Sequence, residues 1–312
     1  LNALLDDATR IRMISDVPLG AFLSGGLDSS SIVRSMCNFK NSDNVFTCSI
    51  GFDEPGYSEL SEASELANYL NVNHHSKTIS PNMVDILRDI VYLADEPFSD
   101  NSMIPTYYLS QFAREKVTVA LSGDGGDEIF AGYETYAADK WHRIFSKIPL
   151  PLLNFIASAA DNLLPVTHNK VSFDYKLRQF LAGRGMDQVQ AHYHWRTIFS
   201  DNERARLLKN FDVADLSEPL SHFKSVAACC DNGHWLDQAM YVDIKTWLVD
   251  DILVKADRMS MAHSLEVRCP FLDHRMVEFA ASLPVDLKMK GFTKKYILKK
   301  SQEHRLPHSV IY

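Results

Sequence analysis

The sequence predicts an α/β fold, a parallel sheet with flanking helices followed by a mainly helical C-terminal half. Three observations carry this. Short apolar runs alternate with longer amphipathic ones up to Leu121. Two of those runs, Val17–Leu23 and Val117–Leu121, stop at Ser-Gly. After about residue 128 strand-like runs become scarce and helical patterns dominate. The α/β core is therefore expected over about 1–139 and the helical part over about 140–312.

The elements run in order along the chain. Leu4, Leu5, Ala8, Ile11 and Met13 share one side of a helix over about 2–14. Val17–Leu23 (VPLGAFL) reads as a buried strand ended by a glycine turn. A helix from Asp28 to about Phe39 carries Ser29, Ser30 and Ser31 in its first turn. Val45–Ile50 is a strand, Ser58–Leu70 a helix and Asn73–Ile79 a strand. Helices over about 81–94 and 102–115 lead to the strand Val117–Leu121. Pro149, Pro151 and Pro165 punctuate the first part of the helical half, and Trp235–Met261 is long, amphipathic and mixed in charge. Neither internal repeats nor low-complexity segments occur.

Composition sets the outer limits. The 312 residues are 46% hydrophobic and 23% charged, enough for a sizeable core and unlike a disordered or fibrous chain. No apolar run reaches the roughly 18–20 residues of a membrane span. The net charge of −8 disfavours generic nucleic-acid binding. An acidic chain binds a polyanion through local devices: backbone amides, a few lysines and a divalent metal. Cys37, Cys48, Cys229, Cys230 and Cys269 show no CxxC pair or zinc spacing and read as buried, reduced thiols of a cytosolic protein. Asn2, Asp6, Asp7, Arg10 and Arg12 interrupt any signal-peptide core. The start at Leu1 reads as a piece of something longer, or an engineered chain.

The chemistry concentrates in two loops. Ser24-Gly25-Gly26-Leu27-Asp28-Ser29-Ser30 lies between a strand and a helix. Its glycines allow a tight turn, and the helix N-terminus with Ser24, Ser29 and Ser30 forms a cradle for phosphate or pyrophosphate. It lacks the lysine of a Walker loop. Asp28 would repel phosphate without an intervening metal, which makes it a candidate Mg²⁺ ligand. A plain glycine turn capped by Asp or Ser is the alternative. Ser122-Gly123-Asp124-Gly125-Gly126-Asp127-Glu128 again follows a strand, at the sheet edge where open α/β folds bind ligands. Asp28 and Asp127 could share one Mg²⁺. Helix N-capping is the alternative for Asp127-Glu128.

These loops, SGGLDSS and SGDGGDE, together with LADEP at Leu93–Pro97 and LEVRCPFLDH at Leu265–His274, resemble the synthetase domain of glutamine-hydrolysing asparagine synthetases. That family belongs to the PP-loop ATP pyrophosphatases, which are adenine-nucleotide α-hydrolase-like in fold. The resemblance covers nearly the whole chain. It implies a ligase that activates L-aspartate on the α-phosphate of ATP, releases pyrophosphate and forms β-aspartyl-AMP. Ammonia then gives asparagine and AMP. It implies that Leu23 and Ile50 contact adenine or ribose. Ser24, Gly25, Gly26, Ser29, Ser122 and Gly123 would line the ATP site, and Asp28 and Asp127 would hold Mg²⁺. Asp124 matches a position linked to adenylate formation. Gly291–Leu298 resembles the family's G-x-x-x-K-x-x-L stretch and points to Lys295 as the catalytic lysine, with Lys294 its adjacent competitor.

Other features are expected to play lesser parts. Asp95 and Glu96 either orient an amino group or ammonia or are ordinary loop carboxylates. Asp257, Arg258, Glu266 and Arg268 read as a buried ion-pair network under the site, with direct substrate contact as the alternative. His74-His75 and His192-x-His194 read as structural or surface residues. Ile104, standing where a hydroxyl might touch aspartate, leaves the acid open. The same adenylate chemistry on another carboxylate, as in β-lactam-forming or polysaccharide-linked relatives, is the alternative. A tRNA-modifying enzyme and a non-catalytic binding module are weaker readings, and neither loop is the G-x-S-x-G of a serine hydrolase. The family's N-terminal glutaminase domain is missing from these residues, and the end reads as cut before a basic, glycine-containing segment. The expected partners are small molecules and that glutaminase domain, without nucleic acid or membrane. A homodimer is allowed, and the expected location is cytoplasmic.

Overall fold

The computed structural model describes residues 1–52, 59–80, 83–163, 173–209, 218–230 and 233–312. Ser58, residues 81–82 and Pro165, which the sequence pattern assigns to helices or their punctuation, lie outside the described residues. The chain divides into two compact units, Leu1–Phe130 with Trp247–Tyr312, and Ala131–Thr246.

The first unit holds the sheet. Its strands are β1 (Leu19–Phe22), β2 (Phe46–Phe52), β3 (Asn73–Ile79), β4 (Val119–Leu121) and β5 (Glu266–Arg268). Among the described residues they form one five-stranded sheet in the order β3-β2-β1-β4-β5, parallel at every pairing. Parallel neighbours need crossovers, and the helices Leu27–Met36 and Leu60–Leu70 supply the first two. β2 and β3 lie on one side of β1, and β4 and β5 on the other. The winding thus reverses between β1 and β4, which places the crevice of an open sheet there.

The central strands are apolar because both faces are covered. Ala21, Val119, Ala120 and Leu121 are buried, and Cys48, Ala113, Val117 and Leu265 close a cluster around Ala120. β3 (NHHSKTI) is an edge strand with mostly exposed polar side chains, a pattern that discourages further pairing. β1 starts after Pro18, whose carbonyl accepts from the Thr118 and Val119 amides.

Sequence patterning misses β5. Three residues, Glu266-Val267-Arg268, carry too little periodicity to read as a strand, and their pairing with Val119–Leu121 is entirely long-range. Trp247–Tyr312 consequently belongs with the sheet, and the helical segment lies between. The long run Trp235–Met261 is broken as well. It comprises the helices Trp235–Lys245 and Leu253–Met261 with a π-turn at Leu248–Ile252, and Thr246 leaves helical geometry at φ −124° and ψ −71°.

The ion-pair network is also elsewhere than expected. Arg268 pairs with an exposed Glu266 and caps the Arg12 and Ile14 carbonyls. Arg258 lies 4.0 Å from an exposed Asp95. The more buried network runs Arg12–Asp273–Arg275–Asp7, with N–O distances of 2.7–3.0 Å. Asp273 is its buried centre, and the two arginines hold its carboxyl well below the usual range.

Among its described residues the second unit is helical. Two helices start with capping boxes, Asp187 with Gln190 and Ser200 with Glu203. His192 is buried between Asp139 Oδ2 at 2.6 Å and Asp243 Oδ1 at 3.1 Å. Trp195 Nε1 donates to Asp139, and Arg196 donates to Asp243. Burial pulls the imidazole's pKa down, but the two carboxylates outweigh it and raise it to about 10. His192 is therefore a structural cation that joins three helices. His74 bonds Thr47, and His75 stacks on Phe46.

All five cysteines are free. The expectation that they are buried holds only for Cys48, whose thiol burial pushes up to about 12; Cys229 is exposed.

Candidate active site

The two glycine loops emerge from the adjacent strands β1 and β4 and pack together. A Cβ added to Gly126 would lie 2.7 Å from Asp28 Cγ, and one on Gly123 2.9 Å from the Ser29 amide nitrogen. No side chain fits at either position, so the second loop closes directly over the first. Gly25 has φ +74°, a conformation that L side chains rarely adopt, and it lies against the helix Leu60–Leu70.

The first loop is internally bonded. The Ser24 amide donates to Ser29 Oγ at 3.2 Å, and the Gly26 amide donates to Ser24 Oγ at 3.3 Å. The Ser29 and Ser30 hydroxyls both donate to the Gly26 carbonyl. The predicted phosphate donors therefore also shape the loop, and Ser24 and Gly26 are its exposed members. Leu23 is 2% exposed, and both of its backbone polar groups are engaged within the sheet. Its amide donates to the Cys48 carbonyl and its carbonyl accepts from Ser49 Oγ. Ile50 is half-buried toward the end of β2.

Neither carboxylate is a helix cap. The helix Leu27–Met36 has Gly26 at its N-cap, and Gly126–Ile129 has Gly125, without a side-chain cap bond in either case. Asp28 and Asp127 instead meet at Lys295, whose Nζ lies 2.5 Å from Asp28 Oδ2 and 2.6 Å from Asp127 Oδ1. Burial pushes the Asp28 carboxyl up to about 6 against the pull of Lys295. Burial acts to lower the Lys295 pKa, but the two carboxylates prevail and hold it above its ordinary range. Asp28 Oδ1 is buried without a hydrogen-bond partner.

Lys295 reaches this point through an unusual backbone. It stands before the helix Tyr296–Gln302, in left-handed geometry at φ 51°, and its amide donates to the Phe130 carbonyl. The segment after it is tied to the N-terminal helix Asn2–Arg12 by Asn2 with Ser301 and Gln302, and by Asp6 with Arg305 at 2.6 Å.

Asp124 accepts from the Ser122 hydroxyl at 2.8 Å, and the Ser122 amide donates to the Arg268 carbonyl of β5. Burial raises the Asp124 carboxyl, while Ser122 and Lys255 act to lower it. Lys255 carries no motif signal, and sequence reasoning misses it. Its Nζ donates to Asp100 Oδ2 at 2.8 Å and to Ser102 Oγ at 2.7 Å. Asp95 and Glu96 are exposed. Ile104 packs against an apolar cluster that includes Ile90, Met103 and Met259. Among the described residues no group of three or more His, Cys, Asp or Glu could hold a metal, so Asp28 and Asp127 form at most a two-carboxylate site. No helix there is long and apolar enough to cross a membrane.

A parallel sheet that reverses its winding between two glycine–carboxylate loops defines a ligand-binding α/β protein. The family described as asparagine synthase matches residues 1–312, and the chain belongs to that family. It is 37% identical over 311 residues to "Asparagine synthetase [glutamine-hydrolyzing] 1" of Bacillus subtilis, covering 98% of this chain and 46% of that protein. It is 31% identical over 323 residues to a "Putative asparagine synthetase [glutamine-hydrolyzing]" of Mycobacterium tuberculosis (strain ATCC 25618 / H37Rv), covering 100% of this chain and 46% of that protein. A more distant relative, "Amidase chry2" of Gibberella zeae, is 24% identical over 95% of this chain and 48% of its own length. The chain thus spans about half the length of these relatives.

Proposed function

We propose that the chain is the ATP-dependent synthetase part of a glutamine-dependent asparagine synthetase. The observation that carries this is the meeting of Asp28, Asp127 and Lys295 where the sheet reverses its winding. A β-carboxylate oxygen of L-aspartate attacks the α-phosphorus of ATP, pyrophosphate leaves, and β-aspartyl-AMP forms. Ammonia then attacks the acyl carbon, AMP leaves, and the nitrogen loses a proton to give asparagine.

Leu23 and Ile50 border the adenosine. Ser24, Gly25, Gly26, Ser29, Ser122 and Gly123 surround the phosphates. Lys295, kept cationic, stabilises negative charge developing at the α-phosphate. Asp124 orients the reacting acid.

Mg²⁺ fits Asp28 and Asp127. Both offer hard carboxylate oxygens, Asp28 Oδ1 is buried without a partner, and Mg²⁺ uses one or two carboxylates together with substrate phosphates. When bound it would neutralise charge on the leaving pyrophosphate.

Residues 1–312 form one synthetase-type domain in this reading. Ammonia comes from a glutaminase domain of a longer protein. The relatives' printed names and the half-length match support that part. A cytoplasmic place, where ATP is supplied, belongs to the same proposal.

The test is pyrophosphate release from Mg-ATP with ammonia and a panel of carboxylic acids led by L-aspartate. Aspartate-dependent pyrophosphate with matching AMP and asparagine is expected. Release with a different acid alone would replace the substrate, and no acid-dependent release would remove the reading.

A further inference from the structure

The proposed chemistry leaves unused a largely shielded cation whose charge acts on Asp124. Lys255 lies on the helix Leu253–Met261, just before β5, whose Arg268 carbonyl receives the Ser122 amide. Its side chain is 13% exposed and that of Asp100 is 18% exposed. Ser102 Oγ accepts from Lys255 and donates to Asp100 Oδ2 at 2.5 Å, so the three groups brace one another. An ammonium carries three N–H donors. Asp100 and Ser102 take two of them.

The cations near the loops differ in commitment. Lys295 is spent on two carboxylates, Asp28 and Asp127, whereas Lys255 has one. Lys255 is also the cation whose charge acts on Asp124. An amino acid that reacts through its side-chain carboxylate brings a second carboxylate with it. Among Asp28, Asp124 and Asp127 that group meets mainly negative charge, and left unpaired it would be strongly disfavoured. The reacting carboxylate must stay free to attack phosphorus, so a remote anionic group is the part to anchor.

We propose that Lys255, braced by Asp100 and Ser102, receives the non-reacting carboxylate of the acid substrate and selects acids that carry a second anionic group. The proposal rests on the functional reading of the two loops as an aspartate-activating site. It places the specificity-bearing hydroxyl at Ser102 rather than at Ile104, which packs into the apolar cluster.

The test compares wild type with Lys255→Met, Lys255→Arg and Asp100→Asn on L-aspartate and on β-alanine, which is aspartate without its α-carboxylate. Pyrophosphate release gives KM for each acid and for ATP, calorimetry gives L-aspartate affinity directly, and thermal melts confirm folding. Lys255→Met is expected to raise KM for aspartate about 10- to 100-fold, the loss of one charge-assisted contact. KM for ATP and for β-alanine should stay within about twofold. Lys255→Arg should recover part of the loss. Asp100→Asn frees the ammonium and should not raise KM for aspartate as Lys255→Met does, whereas a merely structural ion pair would suffer equally from both.

Equal losses on aspartate and β-alanine, or Asp100→Asn matching Lys255→Met, would overturn the proposal alone. L-aspartate binding by wild type that is lost in Lys255→Met, with no pyrophosphate released by wild type, would uphold this site and overturn the reaction. A wild-type chain that neither binds aspartate nor responds to it would overturn both.

Discussion

Lys295 Nζ lies 2.6 Å from Asp127 Oδ1 and also bonds Asp28, a residue 267 positions away in sequence. One ammonium thus holds together the carboxylates of two different loops. Lys295 and Asp28 are 13% and 16% exposed, so this contact is shielded from solvent and differs from a surface ion pair.

Removing that ammonium should cost stability as well as activity. Lys295→Met leaves the largely buried Asp28 carboxylate uncompensated beside Asp127, whose side chain is 36% exposed, and destabilisation of up to about 3–5 kcal/mol is expected, nearly all of it from Asp28. Adding Asp28→Asn should return part of the stability and none of the aspartate-dependent pyrophosphate release. Urea unfolding of the single and double variants checks the first statement, and turnover checks the second. A Lys295→Met protein as stable and active as wild type would contradict both.

Gly126→Ala tests the closeness of the loops. The new methyl would sit 2.7 Å from Asp28 Cγ and 2.9 Å from both carboxylate oxygens. Overpacking of this kind costs about 1–3 kcal/mol. The displaced carboxylate should also lower Mg-ATP use by at least about tenfold, since misplacing a reacting group by about 1 Å costs roughly 100-fold. Nucleotide affinity and turnover, measured at a temperature where the variant remains folded, decide this.

Asp28→Ala should weaken Mg-dependent ATP binding more than metal-free ATP binding. About tenfold or more is expected from the loss of one of two carboxylate donors. Titration of a fluorescent ATP analogue with and without EDTA separates the two. If EDTA leaves wild-type affinity unchanged, Mg²⁺ has no place at Asp28 and Asp127.

The second unit should show its own pH dependence. His192 is raised from 6.5 to about 10, so its contribution is complete below pH 6.5 and is lost as pH rises toward 10. Asp243 is lowered from 3.8 to about 2: burial pushes its carboxyl up, but His192 and Arg196 prevail. Its contribution is complete above pH 3.8 and is lost as pH falls toward 2. Stability from this cluster should be greatest between about pH 4 and 6.5. His192→Gln should remove the alkaline loss and destabilise the protein at pH 6 by about 3–5 kcal/mol. Chemical denaturation from about pH 2 to about pH 10, which spans both losses, is the measurement.

Local pattern made much of the first unit legible. Val17–Leu23 and Val117–Leu121 are apolar because central parallel strands are covered on both faces, and their Ser-Gly endings mark where the chain must turn. The resemblance singled out Lys295 without showing what it touches. β5 was not legible, because three residues pair only through a partner nearly 150 positions away. Lys255 was equally silent, since a lysine in an amphipathic helix looks like any solvated lysine until Asp100 and Ser102 arrive beside it.

By itself the sequence determined the alternation of strand and helix, the two glycine loops and the family resemblance, because turn chemistry and hydrophobic period act over a few residues. Only the tertiary structure decided that β1 and β4 are neighbours, that Gly126 lies against Asp28, and that Lys295 and Lys255 serve different carboxylates. Those relations are electrostatic and steric contacts between distant segments. They exist only once the sheet has brought the segments together and burial has made an unpaired charge costly.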